Sequence, residues 1–202
     1  MRAVLISVFL LLVCPYGQSL SLINTFNVVC KGESIGQLEV TKTINDDVID
    51  FKYLLDITTT VIFKEVRVQY DMDAQYSGGN LLNYHLIYKV NEKVHDEVLV
   101  DWNEDHYTIQ STRQKQKKDH FSLINFTTVL LFFSEPLKRT KVWGELNCRY
   151  QPLIKVEDNG YEMSTDDGRS NVFYYEKGKL VRATFDTPVV DFEIIKSSET
   201  KS

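Results

Sequence analysis

The stretch Ile49-Asp50-Phe51-Lys52-Tyr53-Leu54-Leu55-Asp56-Ile57 decides how the rest of the chain is read. Ile49, Phe51, Tyr53, Leu55 and Ile57 are apolar, and the residues between them are Asp50, Lys52, Leu54 and Asp56. Successive side chains of an extended backbone point to opposite faces. This is therefore the pattern of a strand with one face on a core and the other in water.

The pattern recurs on both sides. Ile62, Val66, Val68, Tyr70 and Met72 oppose Glu65, Arg67, Gln69 and Asp71, with Lys64 as the exception on the apolar side. Leu82, Tyr84, Leu86, Tyr88 and Val90 oppose Asn83, His85 and Lys89, and Val190, Phe192 and Ile194 oppose Asp191 and Glu193. Turn chemistry separates the runs: Lys31-Gly32-Glu33-Ser34, Asn45-Asp46-Asp47, Ser77-Gly78-Gly79-Asn80, Asn103-Glu104-Asp105, Asp158-Asn159-Gly160, Asp166-Asp167-Gly168 and Lys177-Gly178-Lys179. Glycine, asparagine and aspartate tolerate the left-handed backbone of tight hairpins. Only four prolines interrupt the chain. The expectation is an all-β, mainly antiparallel meander of about ten strands, closed into a barrel or curved strongly as a half-barrel.

One segment departs from the alternation. Asn125 to Phe133 (NFTTVLLFF) is apolar on every side and runs into Ser134-Glu135-Pro136. Phe126, Leu130 and Phe133 share one helical face, and Pro136 supplies a stop. A short buried helix near 125–133 is expected, packed into or across one barrel mouth.

The N-terminus carries a different signal. Arg2 precedes an apolar run from Ala3 to Val13, and Pro15-Tyr16-Gly17-Gln18-Ser19 follows. A charged start, an apolar middle and small residues at a cut describe a secretory signal peptide. The run is too short to span a bilayer, which takes about 20 apolar residues. The expected organisation is a signal peptide over 1–19, one domain over 20–196 and a frayed tail over 197–202. The expected location is the periplasm or the extracellular space. A lipid anchor on Cys14 is disfavoured, because Val13 stands where that processing prefers a small residue.

Cys30 and Cys148 are left as a pair in an oxidising compartment. A bridge between them would close a long loop, worth up to about 5 kcal/mol on the chain-entropy account. It would need Cα atoms within about 7 Å. The other reading, two separate buried thiols, stays open.

Signals for chemistry are thin. His85 and His106 fall on the polar side of their strands, and His95 and His120 fall in turns or loops. No Gly-x-Ser-x-Gly elbow, phosphate loop or close His/Cys spacing for a metal occurs, so no catalytic residue, metal or cofactor is assigned. The net charge is −5 and interspersed, which argues against a nucleic-acid partner. The basic run Arg113, Lys115, Lys117, Lys118 reads as a solvated loop.

Several motifs, in this order, resemble an uncharacterised family of exported bacterial proteins, domain of unknown function 6134. They are Lys31-Gly32-Glu33-Ser34-Ile35-Gly36, Gly79-Asn80-Leu81-Leu82 followed by Val90-Asn91-Glu92-Lys93, Leu130-Leu131-Phe132-Phe133-Ser134-Glu135-Pro136, and Tyr161 through Asp186. The resemblance implies export in Gram-negative bacteria and an antiparallel β fold, and it carries over no activity and no site residue. The likeness to periplasmic lipoprotein-carrier half-barrels is one of fold alone.

A continuous apolar inner face without catalytic constellations points to a non-enzymatic exported β domain. It would bind an apolar, lipid-like ligand or an envelope component. Tyr53, Tyr84, Leu86, Tyr88 and Phe132 are the expected lining residues. A solidly packed structural or interaction module without ligand is the alternative, and a hydrolase assembled from distant residues is a third.

Overall fold

The computed structural model describes residues 19–197, apart from 114, 166, 167, 188 and 189. The signal-peptide reading, Cys14 and the tail beyond Ser197 lie outside the described residues.

Fourteen strands form one sheet: β1 (Leu20–Cys30), β2 (Glu33–Asn45), β3 (Val48–Val61), β4 (Lys64–Ser77), β5 (Asn80–Val90), β6 (Lys93–Asn103), β7 (His106–Ser111), β8 (Gln116–His120), β9 (Lys141–Gly144), β10 (Arg149–Val156), β11 (Gly160–Ser164), β12 (Ser170–Glu176), β13 (Lys179–Phe185) and β14 (Phe192–Lys196). Their order is β8-β7-β6-β5-β4-β3-β2-β1-β14-β13-β12-β11-β10-β9, and every ladder is antiparallel. The first and last strands therefore lie side by side in mid-sheet, and two meanders run outward from them.

Two expectations are corrected here. There are more strands than ten, because the C-terminal half is built from strands of four to eight residues that short alternations do not reveal. The sheet is also not closed, since β8 and β9 are its edges and do not pair. Side chains alone meet between them: the His120 and Trp143 rings lie 4.9 Å apart. Both edges are short, five and four residues, and carry Lys117, Lys118 and Lys141. The basic run read as a loop thus supplies an edge strand.

The β3 alternation holds in space: Phe51, Leu55 and Ile57 are buried while Lys52 and Asp56 are exposed. Elsewhere bulges change the parity. The register shifts between Gln75 and Tyr76 opposite Leu81 and Asn83, so Leu82 has no partner and Leu81 takes the buried position. A second shift pairs Tyr88 with Asp96 and Lys89 with Val94, leaving His95 without a partner on β6. Ile62, expected to open a strand, sits with Phe63 in the β3–β4 turn. They are 85% and 98% exposed, with left-handed φ of 46° and 67°.

No α-helix occurs among the described residues. The segment expected as a helix holds a 3-10 turn, Thr128–Phe132, preceded by a parallel bridge from Thr127 to Trp143. Tight i→i+3 bonding suits a run of five residues that is anchored at both ends. The chain from 121 to 148 is stitched to both halves of the sheet. Leu81 N donates to Ile124 O at 2.8 Å, and Ile124 N donates to the Tyr107 hydroxyl at 3.3 Å. On the other side, Asn24 Nδ2 donates to Phe132 O at 2.9 Å and the Tyr175 hydroxyl to Leu131 O at 2.8 Å. These bonds satisfy backbone groups that would otherwise be stranded in an apolar core.

Candidate functional site: an apolar cavity and the buried polar cluster beside it

Tyr53, Tyr70 and Tyr88 stand on adjacent strands with their side chains on the core face. Tyr70 pairs directly with Tyr88 across β4 and β5. Tyr53, on β3, packs edge-on against Tyr70 at 5.0 Å and against Phe132 of the 3-10 turn at 5.4 Å. Facing them are Met163, Phe173, Phe185 and Phe192 from the C-terminal meander. Between the two groups lies a cavity of about 330 Å³. That is within the range of small-molecule sites and about twice an engineered cavity that takes up benzene.

The lining is apolar or neutral throughout: its polar members are the three tyrosines, Thr59, Thr128, Asn171 and Thr187. Thr59 and Val68, half-buried, form its part nearest the β3–β4 turn. A larger concavity of about 490 Å³ is an open trough on the outer face, among Asp50, Lys52, Asp73, His85 and Asp101. It separates rows of solvated side chains and encloses nothing.

Of the five residues expected to line a ligand site, Tyr53, Tyr88 and Phe132 border the cavity. Tyr84 and Leu86 do not. Leu86 is fully buried, and Tyr84 belongs to a separate cluster under the 145–148 turn. There the Tyr84 hydroxyl donates to Glu145 O at 2.8 Å, accepts from Trp143 Nε1 at 3.4 Å and lies 3.5 Å from Cys148 Sγ.

The same cluster holds a carboxylate that sequence reading missed. Glu145 is 2% exposed. Its Oε1 accepts from Val129 N at 2.9 Å and its Oε2 from the Thr128 hydroxyl, so it caps the start of the 3-10 turn. Burial raises its pKa, and these hydrogen bonds work against the shift without cancelling it. Thr128 and Val129 also line the cavity, so the carboxylate sits one layer behind its wall.

A second buried carboxylate, Asp96, is 1% exposed. Its Oδ1 accepts from Ser111 Oγ, Thr112 Oγ1 and Arg113 N at 3.0–3.1 Å, and Arg113 Nε stands 3.6 Å from Oδ2. It ties the end of β7 to β6.

Cys30 and Cys148 are both buried and both free. The bridge left open on sequence grounds is not formed, and Cys148 lies in a turn rather than on a strand. Burial raises the Cys148 thiol pKa, which disfavours the nucleophilic thiolate.

The histidines are scattered. His85 bonds Glu97 at 2.8 Å and His106 bonds Asp105 at 2.6 Å, both at the surface. His95 is exposed on β6 and His120 lies on β8, not in loops as expected. Burial chiefly, then Lys118 and Lys141, lowers the His120 pKa. No group of three or more His, Cys, Asp or Glu converges as metal ligands among the described residues. No helix among them is long and apolar enough to cross a membrane.

Fold and cavity together define an antiparallel β module with an apolar interior space. The chain belongs to the family described as domain of unknown function 6134, which matches residues 26–197. No curated protein and no solved structure matches it.

Proposed function

We propose that this chain is an exported, non-enzymatic β module, curved as a half-barrel, that holds an apolar, lipid-like ligand in the cavity between β3–β5 and the C-terminal meander. The observation that carries the reading is the 330 Å³ apolar space bordered by Tyr53, Tyr70, Tyr88 and Phe132. Cores are close-packed, and apolar walls around a partly open space of this size gain contact energy when an apolar group rather than water fills it. The curvature is supported by the meeting of His120 and Trp143 from opposite edges of the sheet. Export is supported by the apolar run Ala3 to Val13 and the small residues after it. The two buried carboxylates already hold turn backbone and hydroxyl groups, which fits a structural role for both.

The test is organic extraction of the purified protein followed by mass spectrometry, with a polarity-sensitive dye as a second probe. A co-purifying lipid-like molecule, or dye binding abolished by Val68→Trp with the β circular-dichroism spectrum intact, is the expected result. Neither an extractable ligand nor dye binding would overturn the ligand reading and favour a packed structural module. N-terminal sequencing should find a start near Leu20 in an exported fraction. An intact Met1 in the cytosol would overturn export.

A further inference from the structure

Six tyrosine hydroxyls are bonded to protein: Tyr76 to Thr127, Tyr84 to Glu145 O, Tyr107 to Leu81 O, Tyr150 to Leu123 O, Tyr161 to Glu135 and Tyr175 to Leu131 O. Tyr174, whose ring lies under Arg182, has no hydroxyl hydrogen bond to any described residue, and nor do Tyr53, Tyr70 and Tyr88. The last three line the same cavity. A hydroxyl within an apolar wall is stabilised only when something accepts from it or donates to it. Buried polar atoms of Gln69, Asp96, His120, Gln151 and Ser197 also lack a hydrogen-bond partner, but the three phenols are grouped around one space, where a single outside group can reach them together.

The charge of that group follows from the walls. Among the described residues, no Lys, Arg, His, Asp or Glu lines the cavity. Behind the wall stand an acid, Glu145, bonded to Thr128 and Val129, and, towards Tyr88, the Arg113 guanidinium. Neither an anionic nor a cationic head would find a charged partner on the wall itself. We infer that the ligand carries an uncharged hydrogen-bonding head, of the class of long-chain alcohols, received by the Tyr53, Tyr70 and Tyr88 hydroxyls. Burial raises the pKa of all three phenols, and Glu145 adds to the shift at Tyr53 and Tyr70, so they stay protonated and able to donate.

This inference rests on the reading of the cavity as an apolar-ligand site, and the experiment separates the two. Decanol and decanoate are titrated against the full exported chain by calorimetry, at a pH well above the carboxylate range. Decanol should bind at least about tenfold more tightly, because the anion must be buried unpaired. The Tyr53→Phe/Tyr70→Phe/Tyr88→Phe variant keeps every ring and should weaken decanol about tenfold, narrowing the ratio. Should the triple variant not fold, Tyr88→Phe alone should shift the ratio in the same direction. Decanoate binding as tightly as decanol, or a ratio unmoved by the substitutions, would overturn the inference and leave the cavity reading standing. Binding of neither would overturn both.

Discussion

The Tyr84 hydroxyl, on β5, donates to the backbone carbonyl of Glu145 at 2.8 Å, joining residues 61 positions apart. The oxygen that donates there also accepts from Trp143 Nε1 at 3.4 Å. One phenol thus fixes the 145–148 turn against the sheet and holds the carboxylate of Glu145 in place to cap the 3-10 turn.

Tyr84→Phe removes that oxygen and leaves a carbonyl and an indole N–H without it. A destabilisation of about 1–3 kcal/mol is expected, measured as a lowered urea midpoint with unchanged slope. A loss within experimental error would mean that the turn is held by apolar packing alone.

Glu145 gives stability a pH dependence. Its pKa is raised in the folded state by burial, so the native protein binds a proton that the unfolded chain has already released. Stability from this group is complete below the ordinary carboxyl range. It is lost as pH rises through that range towards the raised value. Glu145→Gln, similar in shape and uncharged, should erase this slope. Its urea midpoint should gain on wild type as pH is raised from about 4. Parallel midpoint profiles would refute it.

The β3–β4 turn carries its own strain. Ile62 and Phe63 hold left-handed backbone that Asn and Gly adopt without penalty. Replacing the pair by Asn-Gly should raise stability by about 1–2 kcal/mol, read as an increase in Tm. A fall in Tm would show that the two exposed side chains contribute contacts worth more than the strain.

Gly36 is required by proximity. A Cβ there would lie 2.2 Å from Asp56 O and 2.9 Å from Ile57 Cα, both backbone atoms of β3. Gly36→Ala should cost more than about 2 kcal/mol and shift the denaturation midpoint accordingly. A near-neutral result would require the β2–β3 ladder to move apart there.

Both thiols of the chain from Leu20 onward should be silent to an exposed-thiol reagent in the native state and react on unfolding. Reductant should leave the Tm unchanged. A Tm lowered by reductant, with no thiol released on denaturation alone, would indicate a bridge.

The long strands β3 to β5 were legible because each spans more than ten residues and alternates apolar with charged or polar side chains. The bulges were not. A single unpaired residue, Leu82 or His95, changes which neighbour is buried without changing composition. Strand parity placed Tyr84, Leu86 and Tyr88 on one face, and all three do face inward. Parity does not say how far along the strand the covering segment reaches, and that distance separates the packed Tyr84 and Leu86 from Tyr88 at the cavity. Glu145 was invisible because an acid between Gly144 and Leu146 reads as a solvated turn. Its burial depends on Thr128 and Val129, which lie far from it in sequence. The edge strand β8 was hidden by its charge, since Gln116-Lys117-Lys118-Asp119-His120 has no apolar face to reveal it.

That charge has a consequence for the protein's behaviour in company. An open sheet offers two rows of unused backbone donors and acceptors, and another chain could add its own strand to either. Here the β8 margin is a short strand bearing Lys117 and Lys118, and the β9 margin is short, bears Lys141 and is already bridged at Trp143 by the chain at Phe126 and Thr127. Short charged margins of this kind disfavour edge-to-edge pairing, whereas a long uncharged margin would invite it.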